Sequence, residues 1–117
     1  MGLEIDIRER TLLAMPKGEL DHLQAERLRV QIDTAFDRSP CKNILLDMED
    51  VSFMDSSGIG MIIGRYKNAE KRGGKLVLAN MCDSVERLFE LSGLAKIIKR
   101  ATTVENAIAL LGGNLDA

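Results

Sequence analysis

Asn43-Ile44-Leu45-Leu46-Asp47-Met48-Glu49-Asp50-Val51-Ser52-Phe53-Met54-Asp55-Ser56-Ser57-Gly58-Ile59 is the stretch whose reading decides the fold. Asn43 to Met48 is a short apolar run bounded by polar residues, the pattern of a strand buried on both faces. Glu49 to Gly58 reads as a connection, and it ends in Asp-Ser-Ser, any of which can cap a helix. Ile59, Ile62, Ile63, Tyr66 and Ala69 then mark one helical face, and Gly73-Gly74 ends it. Strand, connection and amphipathic helix make a βα unit, and repeated units imply a mostly parallel sheet.

The rhythm continues in both directions. Lys75-Leu76-Val77-Leu78-Ala79 is another strand. Asp83-Ser84-Val85-Glu86 has the spacing of a capping box and opens a helix through Leu91, closed by Gly93. Lys96-Ile97-Ile98-Lys99 reads as a short last strand. Thr102-Thr103-Val104-Glu105 is a second capping box, opening a helix to Leu111 that Gly112-Gly113 terminates. Toward the N-terminus, Asp21 is an N-cap, followed at helical spacing by Leu23, Ala25, Leu28, Ile32, Ala35 and Phe36, and Ser39-Pro40 stops that helix. Thr11 to Met15 is a strand, and Leu3-Glu4-Ile5-Asp6-Ile7 alternates as a half-exposed one. Only the polar turn Arg8-Glu9-Arg10 separates the two, too little chain for a crossover, so the first strand is an antiparallel edge. The expected fold is α/β. It is a single domain over residues 1–117, with a mixed, mostly parallel five-stranded sheet and about four helices mainly on one face, because sequential right-handed crossovers share a side.

Composition excludes several functions. The 117 residues suit one domain, and 45% hydrophobic with 29% charged residues is ordinary for a globular chain. Aromatic content of 3% without Trp leaves little to stack bases on, and a net charge of −2 suits no phosphate-tracking surface, so no direct nucleic-acid partner is expected. The longest apolar stretch, Ile59 to Ile63, is too short to span a membrane, and the start reads as neither a signal peptide nor a myristoylation site; a cytosolic location is expected. Cys41 and Cys82 stand far apart without metal-ligand spacing and read as reduced thiols, so neither metal nor cofactor is expected.

In open α/β sheets, sites gather at the carboxyl ends of parallel strands. Two loops fall there: Gly18-Glu19-Leu20-Asp21-His22 and Met54-Asp55-Ser56-Ser57-Gly58. A serine nucleophile needs a base, yet the one His, His22, lies on the other loop and the Ser56 segment is not Gly-x-Ser-x-Gly. Gly58-Ile59-Gly60-Met61-Ile62-Ile63-Gly64 lacks the dinucleotide spacing, and its glycines read as packing positions that bring the helix close to the sheet. No catalytic residue is assigned and the chain is not expected to be an enzyme; a small serine-dependent hydrolase is the rival reading. Ser56 remains as a substrate. A serine at a helix entrance is ordinarily a cap, but here three candidate caps compete where one suffices, and Gly58 removes bulk beside them. A kinase can then reach the hydroxyl without unfolding the helix.

Ser52-Phe53-Met54-Asp55-Ser56-Ser57-Gly58-Ile59-Gly60 resembles the signature of STAS-domain anti-sigma factor antagonists. Gly18-Glu19-Leu20-Asp21-His22, Gly64-Arg65-Tyr66-Lys67, Arg87-Leu88-Phe89-Glu90-Leu91-Ser92-Gly93-Leu94 and Lys96-Ile97-Ile98 look like further blocks of the family, in its order and spacing. Ser57, where stress-response relatives more often carry Thr, resembles the sporulation branch; a stress-response antagonist of a related kinase is the alternative. The resemblance implies a partner, an anti-sigma factor that is also a serine kinase. It implies that the unphosphorylated chain binds this partner and releases the sigma factor, that phosphorylation ends binding, and that a serine phosphatase resets the cycle. By match to the motif, Ser56 takes the phosphate and Asp21, Asp55, Ser57 and Gly58 belong to the partner-binding surface. Leu23 stands where relatives often carry a second His.

Overall fold

A computed structural model describes residues 2–112. Its elements are β1 (Gly2–Arg8), β2 (Thr11–Leu20), α1 (His22–Asp37), β3 (Asn43–Asp47), β4 (Val51–Met54), α2 (Ser56–Lys71), β5 (Leu76–Ala79), α3 (Asp83–Leu91), a 3₁₀ turn (Leu94–Lys96), β6 (Lys99–Ala101) and α4 (Val104–Leu110). The five main strands lie in the order β1-β2-β3-β5-β6. β1 is the antiparallel edge and the remaining neighbours are parallel. Only Glu9 and Arg10 join β1 to β2, in a tight turn that holds Glu9 at φ 56°.

The central strands are apolar throughout because both their faces are covered. Leu12, Ala14, Ile44, Leu46, Leu76 and Leu78 face α1, α2 and α3, which contribute Leu28, Ile32, Phe36, Ile62 and Phe89. One residue out of phase, Leu13, Leu45, Val77 and Ala79 face the other side, where Ala107 and Leu111 pack. Burying each large aliphatic side chain contributes roughly 1.5–3 kcal/mol. α4 takes the opposite face from the other helices because it follows the last strand and joins no pair, so no crossover fixes its side.

The structure corrects several expected boundaries. The connection from Glu49 to Gly58 contains a short sixth strand: β4 pairs in parallel with the far end of β2, Glu19 against Phe53 and Leu20 against Met54. β2 accordingly runs past Met15 to Leu20, with an irregularity at Gly18, whose φ of 104° suits glycine alone. The last strand begins at Lys99, not Lys96, because the Ile98 amide donates to the Leu94 carbonyl at 2.8 Å and the chain is still turning there. α3 is capped at Cys82, one residue before the expected Asp83. Asp83 has entered the first turn, where its charge suits the helix dipole. α4 is capped by Thr103, which accepts the Asn106 amide at 3.0 Å, while Thr102 accepts the Asn106 side-chain amide at 3.2 Å. Gly112, at φ 77°, ends α4; Gly113 of the expected stop lies outside the described residues.

Candidate functional site

The carboxyl ends of β2 and β4 run side by side, and the Asp55 amide donates to the Leu20 carbonyl at 3.4 Å. Each strand passes straight into a helix through an aspartate. Asp21 accepts the Gln24 amide at 3.0 Å and caps α1; Asp55 accepts the Ser57 amide at 2.8 Å and caps α2. Each cap contributes about 1 kcal/mol by satisfying an amide that the first turn leaves unbonded. The two helix entrances are neighbours: His22 Nδ1 lies 3.3 Å from Ser57 Oγ, across thirty-five residues of sequence. The two loops picked out in the sequence therefore form one surface.

The three competing caps separate into three roles. Asp55 is the cap. Ser57 is half-buried, its amide on Asp55 and its hydroxyl against His22. Ser56, the first residue of α2, is exposed, and among the described residues no hydrogen bond holds its hydroxyl. Asp21 is exposed beside them. Gly58, expected on the partner-binding surface, is instead buried beneath it: a Cβ there would stand 2.2 Å from Met54 Cγ and 3.4 Å from Leu20 Cβ. Its bare Cα lets α2 lie close on β2 and β4. The other helix glycines do not share this role, since a Cβ at Gly60 or Gly64 would meet nothing within 4 Å. Both instead line a groove of about 330 Å³ between α1 and α2, next to His22 and Ser57.

Below the surface an ion pair ties the two helices together. Arg65 on α2 is buried, with Nε 2.8 Å and Nη2 3.2 Å from the two oxygens of Asp33 on α1. Its Nη1 donates to the Met61 carbonyl at 3.2 Å, and Asn68 donates to Asp33 at 3.0 Å. Burial lowers the Arg65 pKa from its ordinary value, and the Asp33 charge opposes that shift. Arg65 sits in a block singled out by sequence, but its partner, thirty-two residues away, carried no signal. Two surface features were also missed. His22 is exposed, as a residue near a helix start usually is, yet it touches Ser57, not Ser56. Among the described residues no hydrogen bond orients its other ring nitrogen, so a Ser–His–acid relay is not assembled on Ser56. Phe53 is 46% exposed on β4, hidden from sequence reading because β4 itself was read as a connection.

Among the described residues no helix is long and apolar enough to cross a membrane, and no three His, Cys, Asp or Glu side chains gather as a metal site. Known proteins resemble this chain over nearly its whole length. An anti-sigma F factor antagonist of Paenibacillus polymyxa is 37% identical over 113 residues, covering 95% of this chain and 97% of the relative. The solved structure of the anti-sigma factor antagonist SpoIIAA in its unphosphorylated form superposes with a TM-score of 0.80 at 33% identity, covering 95% of this chain and 97% of that one. The Bacillus cell fate determinant SpoIIAA in its phosphorylated form superposes with a TM-score of 0.71 at 33% identity, over 93% and 98% of the two chains. The profile of the STAS domain matches residues 3–107, from the edge strand into α4, and the chain therefore belongs to the STAS domain family.

Proposed function

We propose that this chain is an anti-sigma factor antagonist of the sporulation type, switched by phosphorylation of Ser56. Unphosphorylated, it docks on an anti-sigma factor serine kinase through Asp21, Asp55 and Ser57 around Ser56, with Gly58 holding that surface from beneath, and the sigma factor is released. The kinase then transfers the γ-phosphoryl group of ATP to the Ser56 hydroxyl, leaving ADP, and the modified chain lets go. A serine phosphatase hydrolyses the phosphoserine and restores the binding form. The single observation that carries the reading is the separation of roles at the helix entrance. Capping is done by Asp55 and Ser57 is held against His22, which leaves Ser56 exposed, with no hydrogen bond on its hydroxyl among the described residues. The names of the relatives supply the class of partner, and SpoIIAA, a neighbour of the same fold, has been solved both with and without phosphate.

Ser56→Ala tests the switch. Because the Ser56 side chain caps nothing, the variant should fold and bind the anti-sigma kinase as wild type does, yet stay bound after ATP is added. A release assay following the complex over time reads the difference. Release of Ser56→Ala at the wild-type rate would place the switch on another residue.

A further inference from the structure

We propose that Phe53 is the apolar anchor of the partner surface, a ring held open on β4 that the kinase acting on Ser56 buries in an apolar pocket of its own. This inference rests on the reading of Ser56 as the phosphoacceptor and adds the residue that holds the kinase there. The four residues of β4 divide into two pairs. Val51 and Met54 are buried, and Ser52 and Phe53 are exposed. The buried pair attaches the strand: both belong to the core, and Met54 packs against Gly58 and stands beside Leu20. Phe53 is paired with Glu19 of β2, which is exposed as well.

The strand does not need an aromatic at this position, since the polar Ser52 serves in it equally exposed. The other two phenylalanines, Phe36 and Phe89, lie in the core. A phenylalanine buries roughly 150–250 Å² when fully covered, so Phe53, 46% exposed, keeps on the order of 100 Å² for a partner.

Position selects the occupant. β4 runs through Asp55 straight into α2, so three residues of chain, at most about 11 Å, separate Phe53 from Ser56. A kinase that seats the γ-phosphoryl group of ATP against the Ser56 hydroxyl also covers its surroundings. A standard interface takes about 800 Å² from each partner, a patch roughly 30 Å across, and Phe53 falls inside it. The neighbouring surface is polar, with Glu19, Asp21 and Ser52 exposed and Asp55 half-buried. Interfaces place an apolar core, rich in aromatic side chains, within such a polar rim. Among the described residues seven large hydrophobic side chains are exposed, and only Phe53 and Leu23 stand within two residues of a capping aspartate at the site. Leu23 lines a groove toward β1 with Leu3, which leaves Phe53 as the core of the patch. Phe53 touches no reacting atom, so it holds ground state and transition state alike.

The test measures binding and steady-state phosphorylation with the anti-sigma factor serine kinase proposed as the partner. Phe53→Thr keeps a strand former at the position and should unfold at nearly the wild-type temperature. It should bind the kinase about ten- to a hundredfold more weakly. KM for the chain should rise by the same factor, with kcat unchanged and the phosphate still on Ser56. Phe53→Leu, which keeps apolar bulk, should bind within about threefold of wild type. The wild-type chain gives a second measurement that decides the matter should Phe53→Thr fail to fold: on adding the kinase, the Phe53 ring resonances should shift and those of the buried Phe36 and Phe89 should not. Wild-type binding by Phe53→Thr overturns this inference and leaves Ser56 as the acceptor. So does a Phe53→Leu variant as weak as Phe53→Thr, or a Phe53 ring whose resonances stay in place. A kinase that does not bind the wild-type chain, or that modifies another residue, overturns the Ser56 reading and this inference with it.

Discussion

Ser56→Asp is expected to bind the anti-sigma kinase about a hundredfold more weakly than wild type, a loss near 3 kcal/mol, while unfolding at nearly the same temperature. A phosphate brings about −1.5 to −2 charges, and aspartate brings one of them. Two effects oppose each other at this position. The N-terminus of the sixteen-residue helix α2 favours an anion by about 0.3–1 kcal/mol near the surface. The carboxylates of Asp55, next in sequence, and Asp21, on the adjoining entrance, repel it. At about 6 Å and an effective dielectric near 20, each unit pair costs roughly 3 kcal/mol, and less where salt screens it. In the free chain Ser56 is exposed, so water and ions reduce the repulsion and the fold accommodates the charge. An interface that must strip that water feels the repulsion in full. The Ser56 hydroxyl holds no hydrogen bond among the described residues, so charging it breaks nothing inside the domain. The phosphorylated and free forms should superpose along α2. Wild-type affinity for Ser56→Asp would contradict this electrostatic account, and a rearranged α2 would contradict interface blocking.

Asp33→Ala is expected to destabilise the fold by about 3–5 kcal/mol, measured by denaturant unfolding. Only 6% of the Arg65 side chain reaches solvent, so removing Asp33 leaves a buried guanidinium without an ion pair among the described residues, the nearby Glu26 carboxylate being bridged to Arg29. The lower end of that range applies if Arg65 can turn toward water, because Asp33 itself is 24% exposed. Replacing both partners, Asp33→Leu with Arg65→Met, should recover most of the loss, since neither charge of the pair then remains between the helices. The pair fixes α2 against α1, and those helices carry Ser56 and Asp21 at their entrances. Asp33→Ala should therefore loosen the partner surface before it unfolds the domain. A loss under about 1 kcal/mol would mean that the pair is dispensable to the packing.

The layout of the fold was legible in the sequence because the strong signals are local. The apolar runs Ile44 to Leu46 and Leu76 to Ala79, the cap Asp21, and the glycines at helix ends each depend on neighbours a few residues away. β4 was not legible. Its four residues do not alternate cleanly, and its strand character comes from pairing with β2, more than thirty residues away. The shift of the last strand has the same origin, since Ile98 is drawn into the core by packing that no local pattern encodes. At the site, sequence identified the residues but not their division of labour. Asp55, Ser56 and Ser57 are equivalent candidates as a string. They become cap, open hydroxyl and held hydroxyl only when β2 brings His22 beside α2. Gly58 shows the converse: its motif position suggested the surface, and its packing against Met54 and Leu20 puts it underneath.

Incubating the chain with the anti-sigma factor serine kinase proposed as its partner and ATP, then reading the intact mass and mapping the modified peptide, addresses the central claim most directly. One phosphoryl group, carried on Ser56, is the outcome this account requires. A chain left unmodified, or one bearing its phosphate on Ser57, would contradict it.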